Sequence, residues 1–551
     1  GLSIKLDSPF FSNLLGIIVV LEFHMARGKS DKVTFKPYNQ HQPWLLPPGA
    51  DELIPQNHLV RVVSTTIDEM NLEPILQKYD RGGGASRFHP LMMFKVLVYG
   101  YMTRTYSSRM IAKAIRENVM FMWLAGSQKP DFRTINAFRG SKLKGIMDEV
   151  FMNTVKLLAS KGLVKLENYF VDGTKIESAS NKYTFVWKRA IDTNERKLDE
   201  KLRAFIAEVD KVSAKENKEY GNRDLEELGE QSSFTADDAV ELAKILNERI
   251  AALDAETIDP EVKKLKKGLK QVESDFVPRK KKYEEQRKIL GERNSYSKTD
   301  PDATFMRMKE DHMMNGQLKP GYNVQIGTEN GFVLGYDIFP NPTDTKTLKP
   351  HLENMEQRFG MMPQRVIADA GYGSNENLAY LEDRNIEALV KYNTFHKEAT
   401  RAWKKNPFRS ENWPYDPEHD RYTCPEGRNL EFVKLSHNRT EAGYPQTLKI
   451  YSCVSCADCS KKADCTKAKG ERSIQRNEEM LRLRKRAREL LSSEPGKSLR
   501  KRRAVEVETV FGEIKANRGF RRFHLRGKQK VAIEWGLLVI GYNIQRMLLP
   551  L

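Results

Sequence analysis

Long apolar runs and cysteines are both scarce in this chain of 551 residues. No segment approaches the roughly 20 consecutive apolar residues that a membrane-spanning helix needs, and the mean hydropathy is −0.61. The most apolar stretch, residues 10–23, is interrupted by Ser12, Asn13 and Glu22 and lacks a small-residue cleavage site. We therefore expect neither a membrane span nor a signal peptide.

The chain has only five cysteines, and four of them lie between Cys453 and Cys465. A secreted disulfide framework in a chain this long would need more cysteines and a wider distribution. The clustering indicates a metal site in a reducing compartment, so we expect a cytoplasmic protein.

Positive charge is in excess, with 92 Lys and Arg against 74 Asp and Glu and a net charge of +18. This balance favours a polyanionic partner, either nucleic acid or an anionic membrane surface. Because no membrane span is expected, DNA is the simpler partner. The length exceeds what one core can fill, so several domains or large insertions are expected.

Helical periodicity follows Pro90, and a third short helix is predicted to begin at Asp131 and to carry Arg133, Asn136 and Arg139. Three such helices are typical of a helix-turn-helix, in which Arg133 and Arg139 would reach DNA. An ordinary three-helix bundle fits the pattern equally well.

Strand patterns surround two aspartates. Residues 167–177 predict a strand ending at Asp172-Gly173, and a hairpin with an Asn-Gly turn follows at residues 322–339. A further strand runs into Asp369. The order of strands and helices predicts a mixed α/β sheet, with both aspartates near strand ends where sites gather. Each Asp-Gly or Asp-Ala pair taken alone is also typical of a plain turn.

Glu508 is the third candidate carboxylate. It lies on a predicted amphipathic helix whose apolar face is formed by Val507, Val510 and Ile514. Glu506, two residues away, is the alternative. Three carboxylates that hold Mg²⁺ or Mn²⁺ suit phosphodiester chemistry, in which one ion activates the attacking oxygen and another stabilises the leaving oxygen.

The motifs around these carboxylates resemble those of bacterial insertion-sequence transposases of the DDE class, in particular the group eleven-eighty-two. The motifs that carry the resemblance are Val171-Asp172-Gly173-Thr174, Asp369-Ala370-Gly371-Tyr372-Gly373-Ser374 and Glu508-Thr509-Val510-Phe511 with Lys515, preceded by Ala50-Asp51-Glu52-Leu53-Ile54-Pro55, His89-Pro90, Ser107-Ser108-Arg109 and Pro130-Asp131-Phe132-Arg133-Thr134-Ile135.

The resemblance implies a ribonuclease-H-like core in which Asp172, Asp369 and Glu508 bind magnesium. It also implies cleavage at the ends of the element, strand transfer into target DNA and a homo-oligomeric end complex. One position departs from the family pattern: Ala504 stands where an Arg is expected four residues before the glutamate, beside Arg502 and Arg503. The choice between Glu508 and Glu506 therefore stays open. A catalytically inactive DNA-binding relative and a nuclease that only hydrolyses are the alternative functions.

The cysteine spacing Cys456-x2-Cys459-x5-Cys465, with Cys424 upstream, offers four thiolates for a structural zinc ion. An iron–sulfur site starting at Cys453 is the less favoured alternative. The resemblance implies that Cys424, Cys456, Cys459 and Cys465 are the zinc ligands.

A basic and aromatic segment, residues 518–526, is either a surface loop or a DNA-contacting segment. In the second case the DNA contacts would be Lys515, Arg518, Arg521 and Arg522.

Changes in composition predict seven segments. They are an extension and extended arm at 1–56, of which residues 1–24 read as an upstream extension; a helical DNA-binding domain at 57–160; a first core strand at 161–187; a helical insertion at 188–296, predicted as two long helices in an antiparallel coiled coil; the ribonuclease-H-like core at 297–393; a Cys-rich zinc insertion at 394–476; and the catalytic and C-terminal helices at 477–551.

Overall fold

The computed structural model describes residues 49–79, 88–216, 233–254, 260–308, 317–440 and 443–549. The predicted upstream extension and most of the arm therefore lie outside the described residues. Leu53–Leu551 form one unit by their backbone contacts.

The N-terminal part is helical, as predicted. Side chains cap several helix starts, and the Asp131 carboxylate accepts a hydrogen bond from the Thr134 N–H at 2.7 Å. Phe94, Leu97 and Val98 are fully buried and belong to the same apolar core as the central sheet. The helices are α1 (Leu59–Glu69), α2 (Glu73–Leu76), α3 (Pro90–Met102), α4 (Ser108–Glu117), α5 (Val119–Leu124), α6 (Phe132–Ala137), a π turn (Phe138–Lys142) and α7 (Met147–Ser160).

A mixed sheet forms the centre of the molecule, in the order β4-β5-β1-β7-β8, with β6 also paired to β5. Strand β1 is antiparallel to β5 and parallel to β7, and β7 is parallel to β8. This α/β topology is consistent with the predicted ribonuclease-H-like core. The elements are β1 (Asn168–Glu177), β4 (Thr304–Arg307), β5 (Leu318–Glu329), β6 (Phe332–Phe339), α12 (Leu348–Phe359), β7 (Arg365–Ala368), α13 (Asn375–Asp383) and β8 (Glu387–Val390).

The helical insertion has its own apolar core, which includes Leu202, Leu246 and Leu269. These three residues lie on three different helices, so the predicted pairing of only two helices is not confirmed. Lys280 is fully buried in this insertion and pairs with Asp199 at 2.6 Å. The elements are β2 (Phe185–Trp187), α8 (Lys188–Glu216), α9 (Ala236–Asp254), α10 (Pro260–Gln271), a π turn (Val272–Phe276), α11 (Val277–Leu290) and β3 (Ser295–Ser297).

The Cys-rich insertion contains a second, antiparallel sheet in the order β13-β12-β11-β10-β9. Trp413, Leu430 and Tyr451 form its small core together with Cys453 and Cys456. Its elements are α14 (Phe395–Glu398), α15 (Arg401–Lys405), β9 (Tyr415–Asp416), β10 (Arg421–Thr423), β11 (Asn429–Arg439), β12 (Pro445–Cys453), α16 (Lys462–Cys465) and β13 (Ser473–Arg476).

The C-terminal helices cover one face of the central sheet. Phe170, Ile367 and Leu389 of that face pack against Leu491 and Val507. The helix that carries Glu508 is interrupted twice by wider turns with i→i+5 hydrogen bonding. The elements are α17 (Glu478–Ser492), α18 (Glu494–Arg503), a π turn (Ala504–Glu508), α19 (Thr509–Gly512), a second π turn (Glu513–Asn517) and α20 (Lys528–Arg546).

Candidate active site

Asp172 and Asp369 lie at the same level on neighbouring parallel strands. Phe170 of β1 pairs with Ile367 of β7, and each aspartate follows its paired residue by two positions. Side chains two apart on a strand share a face, so Asp172 lies on the face that the C-terminal helices cover. Contrary to the predicted strand end, Asp172 lies in the middle of β1, just beyond the part that pairs with β7.

Each aspartate uses one carboxylate oxygen locally and directs the other toward the same arginine. Asp172 Oδ1 accepts from the Gly173 N–H and Asp369 Oδ1 from the Gly371 N–H, both at 2.8 Å. Arg503 Nη2 lies 3.0 Å from Asp172 Oδ2 and 3.6 Å from Asp369 Oδ2. The Oδ2 atoms of both aspartates therefore converge on one cationic nitrogen.

Lys391 extends this row onto a third strand. Ile367 pairs with Leu389 of β8, and Lys391 follows Leu389 by two residues. Burial, followed by the charges of Arg503 and Arg500, lowers the pKa of Lys391, whereas the Asp369 carboxylate raises it. A lysine, two aspartates and an arginine thus share one edge of the sheet.

Gly173 leaves room for a polar group on the opposite face of β1. A Cβ at Gly173 would lie 2.2 Å from Gln325 Nε2 and 2.7 Å from Asp344 Oδ1. The Asp344 carboxylate accepts hydrogen bonds from Asn323 and Gln325, each at 2.8 Å. The glycine of the first motif therefore serves close packing within a strand and is not a turn residue.

The pKa of Tyr372 is affected by the negative charge of this region. Its hydroxyl is buried and donates a hydrogen bond to Gln325 Oε1. Burial raises the pKa of Tyr372 well above its ordinary value, and the carboxylates of Asp344, Asp172 and Asp369 raise it further. Three carboxylates therefore act electrostatically on one buried phenol.

The two candidate glutamates have different surroundings. Glu506 is 6% exposed, accepts from the Gly331 N–H at 2.7 Å and from Arg502 Nε at 2.8 Å, and so links the helix to the β5–β6 turn. Glu508 is exposed at the end of the first π turn. The π turn between Arg503 and Glu508 has i→i+5 hydrogen bonds, so roughly five residues complete one turn there. Arg503 and Glu508 are five residues apart and are thereby brought toward the same side of the helix.

Two of the six predicted DNA-contacting residues are interior. Arg139 is 3% exposed and donates to the Tyr101 hydroxyl, the Tyr106 carbonyl and Ser108 Oγ. Arg518 is also 3% exposed and bonds Glu513 and Gln545. Both guanidinium groups therefore bind polar partners inside the protein.

The other four predicted DNA contacts are nearer the surface. Arg133 and Arg521 are exposed, and Lys515 is half-buried. Arg522 is exposed but donates to the carbonyls of Ser178 and Ser180 at 3.0 and 2.9 Å.

The rings of the basic and aromatic segment point inward. Phe520 and Phe523 are each 1% exposed and pack edge-on against one another. They are therefore unavailable for stacking on bases.

The five cysteines all line one cavity of about 20 Å³. Cys453 Sγ donates toward the Ser455 carbonyl at 3.5 Å, whereas Cys456 Sγ accepts from the Arg472 N–H at 3.4 Å. All five are free thiols. Across the described ranges, no group of three or more His, Cys, Asp or Glu side chains is arranged to hold a metal ion. Neither the predicted carboxylate triad nor the zinc tetrad is thus assembled as a metal site here.

Two parts of the chain match known families. Residues 49–141 match a transposase domain (DUF772), and residues 423–548 match a family described as Transposase DDE domain. The chain carries the domains of a DDE transposase. The DDE match includes all five cysteines and Glu508, while Asp172 and Asp369 precede it. No curated protein matches the chain.

The transposase assignment agrees with the expectation of a DNA-bound protein, since transposases act on DNA. In the part of the chain that the structure describes, no helix combines the length and apolarity needed to cross a membrane.

Three residues of this site were not singled out from the sequence. Arg503 stands beside the position where an arginine is expected, and none of the sequence motifs includes Lys391 or Asp344. The strand-end position of Lys391, level with Asp369, is a signal that the sequence contains. The position of Asp344, in the loop after β6, offers no comparable signal.

Proposed function

We propose that this transposase cleaves DNA at the ends of its own insertion sequence and joins the freed strand to target DNA. The observation that carries the proposal is that Asp172 Oδ2 and Asp369 Oδ2 both contact one cationic atom, Arg503 Nη2. Carboxylate oxygens are the donors that hard divalent cations prefer. Glu508 is the proposed third ligand, because Glu506 is engaged in a structural link.

Mg²⁺ or Mn²⁺ bound by these carboxylates would activate the attacking oxygen and stabilise the leaving oxygen of the phosphodiester. The chain's own residues hold and orient the substrate. Arg133, Lys515 and Arg521 are the proposed phosphate contacts, and Lys391 would place a further positive charge beside Asp369. Arg139 and Arg518 are left out of this set because their partners are internal.

We also propose that Cys424, Cys456, Cys459 and Cys465 bind a structural zinc ion. The four cysteines line one cavity, and cysteine sulfur is a preferred donor to zinc. Cys453 lines the same cavity, but its thiol is directed to the Ser455 carbonyl, so it is the cysteine left out. The zinc ion would tie α16, which contains Cys465, to the turn after β10 and to the loop after β12.

The test uses the purified chain, Mg²⁺ and labelled duplex DNA carrying the flanks of its gene. Wild-type protein is expected to nick this DNA at the element ends, and Asp172→Asn, Asp369→Asn and Glu508→Gln are expected to remove nicking while DNA binding remains. Products joined to a second duplex distinguish strand transfer from simple hydrolysis. Wild-type binding without any cleavage would refute the enzymatic proposal and favour an inactive DNA-binding relative.

A further inference from the structure

We propose that Arg503 is an internal counter-cation, which holds Asp172 and Asp369 together and competes with divalent metal ions for both carboxylates. The inference rests on the proposed function in one respect, namely that these aspartates are the metal ligands. It adds a role for an arginine on the neighbouring helix: setting how readily the site accepts a metal ion.

The geometry of the three side chains points to this role. A single nitrogen, Arg503 Nη2, contacts Oδ2 of both aspartates, while their Oδ1 atoms are bonded to backbone N–H groups of Gly173 and Gly371. A metal ion bound between the two aspartates would therefore contact the same Oδ2 atoms that Arg503 contacts. A guanidinium and a divalent cation cannot occupy the same position, so binding of one excludes the other.

Burial strengthens the interaction between these charges. The side chains of Arg503 and Asp172 are each 11% exposed, whereas that of Asp369 is 42% exposed. Charges near the interior are screened less than charges in water. Two carboxylates that face one another repel, and the arginine neutralises much of that repulsion in the absence of metal.

The arginine is held chiefly by the two aspartates. Its Nε atom is buried and has no hydrogen-bond partner within the described part of the chain. An unsatisfied buried N–H is unfavourable, so the Nε atom contributes no hydrogen bond that would hold the guanidinium beside the carboxylates. A metal ion that takes both carboxylates would release the side chain.

The experiment measures Mn²⁺ binding to the full chain without DNA, by isothermal titration calorimetry. Arg503→Gln removes the charge and retains much of the side-chain size, and Arg503→Lys retains the charge. Lys501→Gln removes one charge from an exposed position on the same helix. Asp172→Asn reports whether the measured site is the proposed one.

We expect Arg503→Gln to bind Mn²⁺ about tenfold more tightly than wild type, the order expected for removing one nearby competing charge. Arg503→Lys should lie between Arg503→Gln and wild type, and Lys501→Gln should match wild type. Without metal, Arg503→Gln should melt at a lower temperature than wild type, and Mn²⁺ should raise its melting temperature by more.

Unchanged or weaker Mn²⁺ binding by Arg503→Gln would overturn the inference. If its DNA affinity fell tenfold at the same time, Arg503 would be a phosphate contact instead. Wild-type cleavage together with unchanged Mn²⁺ affinity in Arg503→Gln would leave the proposed function standing and remove only the counter-cation. Mn²⁺ binding that survives Asp172→Asn would refute the assignment of the aspartates, and with it the proposed site.

Discussion

Replacing Glu506 and Glu508 separately by alanine should give opposite results, although the two residues are only two positions apart. Glu506 accepts hydrogen bonds from the Gly331 N–H and from Arg502, and it is 6% exposed. Glu508 is exposed. We expect Glu506→Ala to destabilise the link between the helix and the β5–β6 turn, and Glu508→Ala to remove DNA cleavage without loss of stability.

The magnitude for Glu506→Ala follows from its two partners. A buried N–H that loses its acceptor costs about 1–3 kcal/mol, and Gly331 lies at the lower end because it lines a cavity of about 490 Å³ open to water. The Arg502 side chain is 43% exposed, so its ion pair contributes at most about 1 kcal/mol. The sum is roughly 1–2 kcal/mol, whereas substitution at an exposed position changes stability by at most about 0.5 kcal/mol.

Two measurements check this prediction. In a folded unit of this size, 1 kcal/mol shifts the thermal midpoint by only about one degree. Thermal denaturation should therefore place Glu506→Ala about one to two degrees below wild type and Glu508→Ala within about half a degree. Hydrogen–deuterium exchange of the peptide around Gly331 should accelerate in Glu506→Ala alone, since its amide loses its acceptor. A folded, stable Glu506→Ala that cannot cleave DNA, beside an active Glu508→Ala, would refute the reasoning and make Glu506 the metal ligand.

Three further predictions concern other parts of the molecule. Arg139→Ala should lower the thermal midpoint by several degrees because it leaves buried polar partners unpaired. Arg133→Ala should leave the midpoint unchanged and reduce the salt dependence of DNA binding by about one counterion. Equal midpoints for the two variants would contradict the internal role of Arg139. Cys424→Ala should remove bound zinc measured by elemental analysis, and Cys453→Ala should retain it; retention in both variants would refute the ligand assignment. Hydrogen bonds from Arg482 and Arg486 lower the pKa of Glu382 to about 2, so this carboxylate stabilises the fold above its unfolded pKa near 4.5 and loses that contribution as the pH falls from there toward 2. The difference in thermal midpoint between wild type and Glu382→Gln should therefore shrink over that pH interval. A difference that does not depend on pH would contradict this prediction.

The arrangement of the two aspartates could be anticipated from the sequence because strand patterns place residues on faces and at edges. Asp172 and Asp369 were expected at neighbouring strands, and the register of β1 with β7 brings them level. The predicted end of this strand at Asp172-Gly173 was wrong, since β1 continues to Glu177. Its continuation depends on antiparallel pairing with β5, a partner more than 140 residues later in the chain, which local patterns do not encode.

Burial of charged residues was the main feature that local patterns could not give. Arg139 lies between Arg133 and Lys142 in a helical segment, a composition typical of DNA contacts, yet it is bonded inside the protein. Its partners Tyr101 and Tyr106 belong to earlier elements, so only the packed structure brings them together. In the same way, Phe520 and Phe523 alternate with basic residues in sequence, while their rings fill the core.

The departure from the family pattern at Ala504 has a physical explanation in the helix itself. In a regular α-helix, each residue turns about 100°, so Arg503 and Glu508 would lie roughly 140° apart on the helix surface. The π turn at Ala504–Glu508 contains one more residue per hydrogen-bonded ring, and residues five apart then come onto similar sides. Arg503 thereby takes the place that an arginine four residues before the glutamate would have in a regular helix. The wide turn therefore explains how an arginine five residues before Glu508 lies toward the same side of the helix, although Ala504 occupies the position four residues before it.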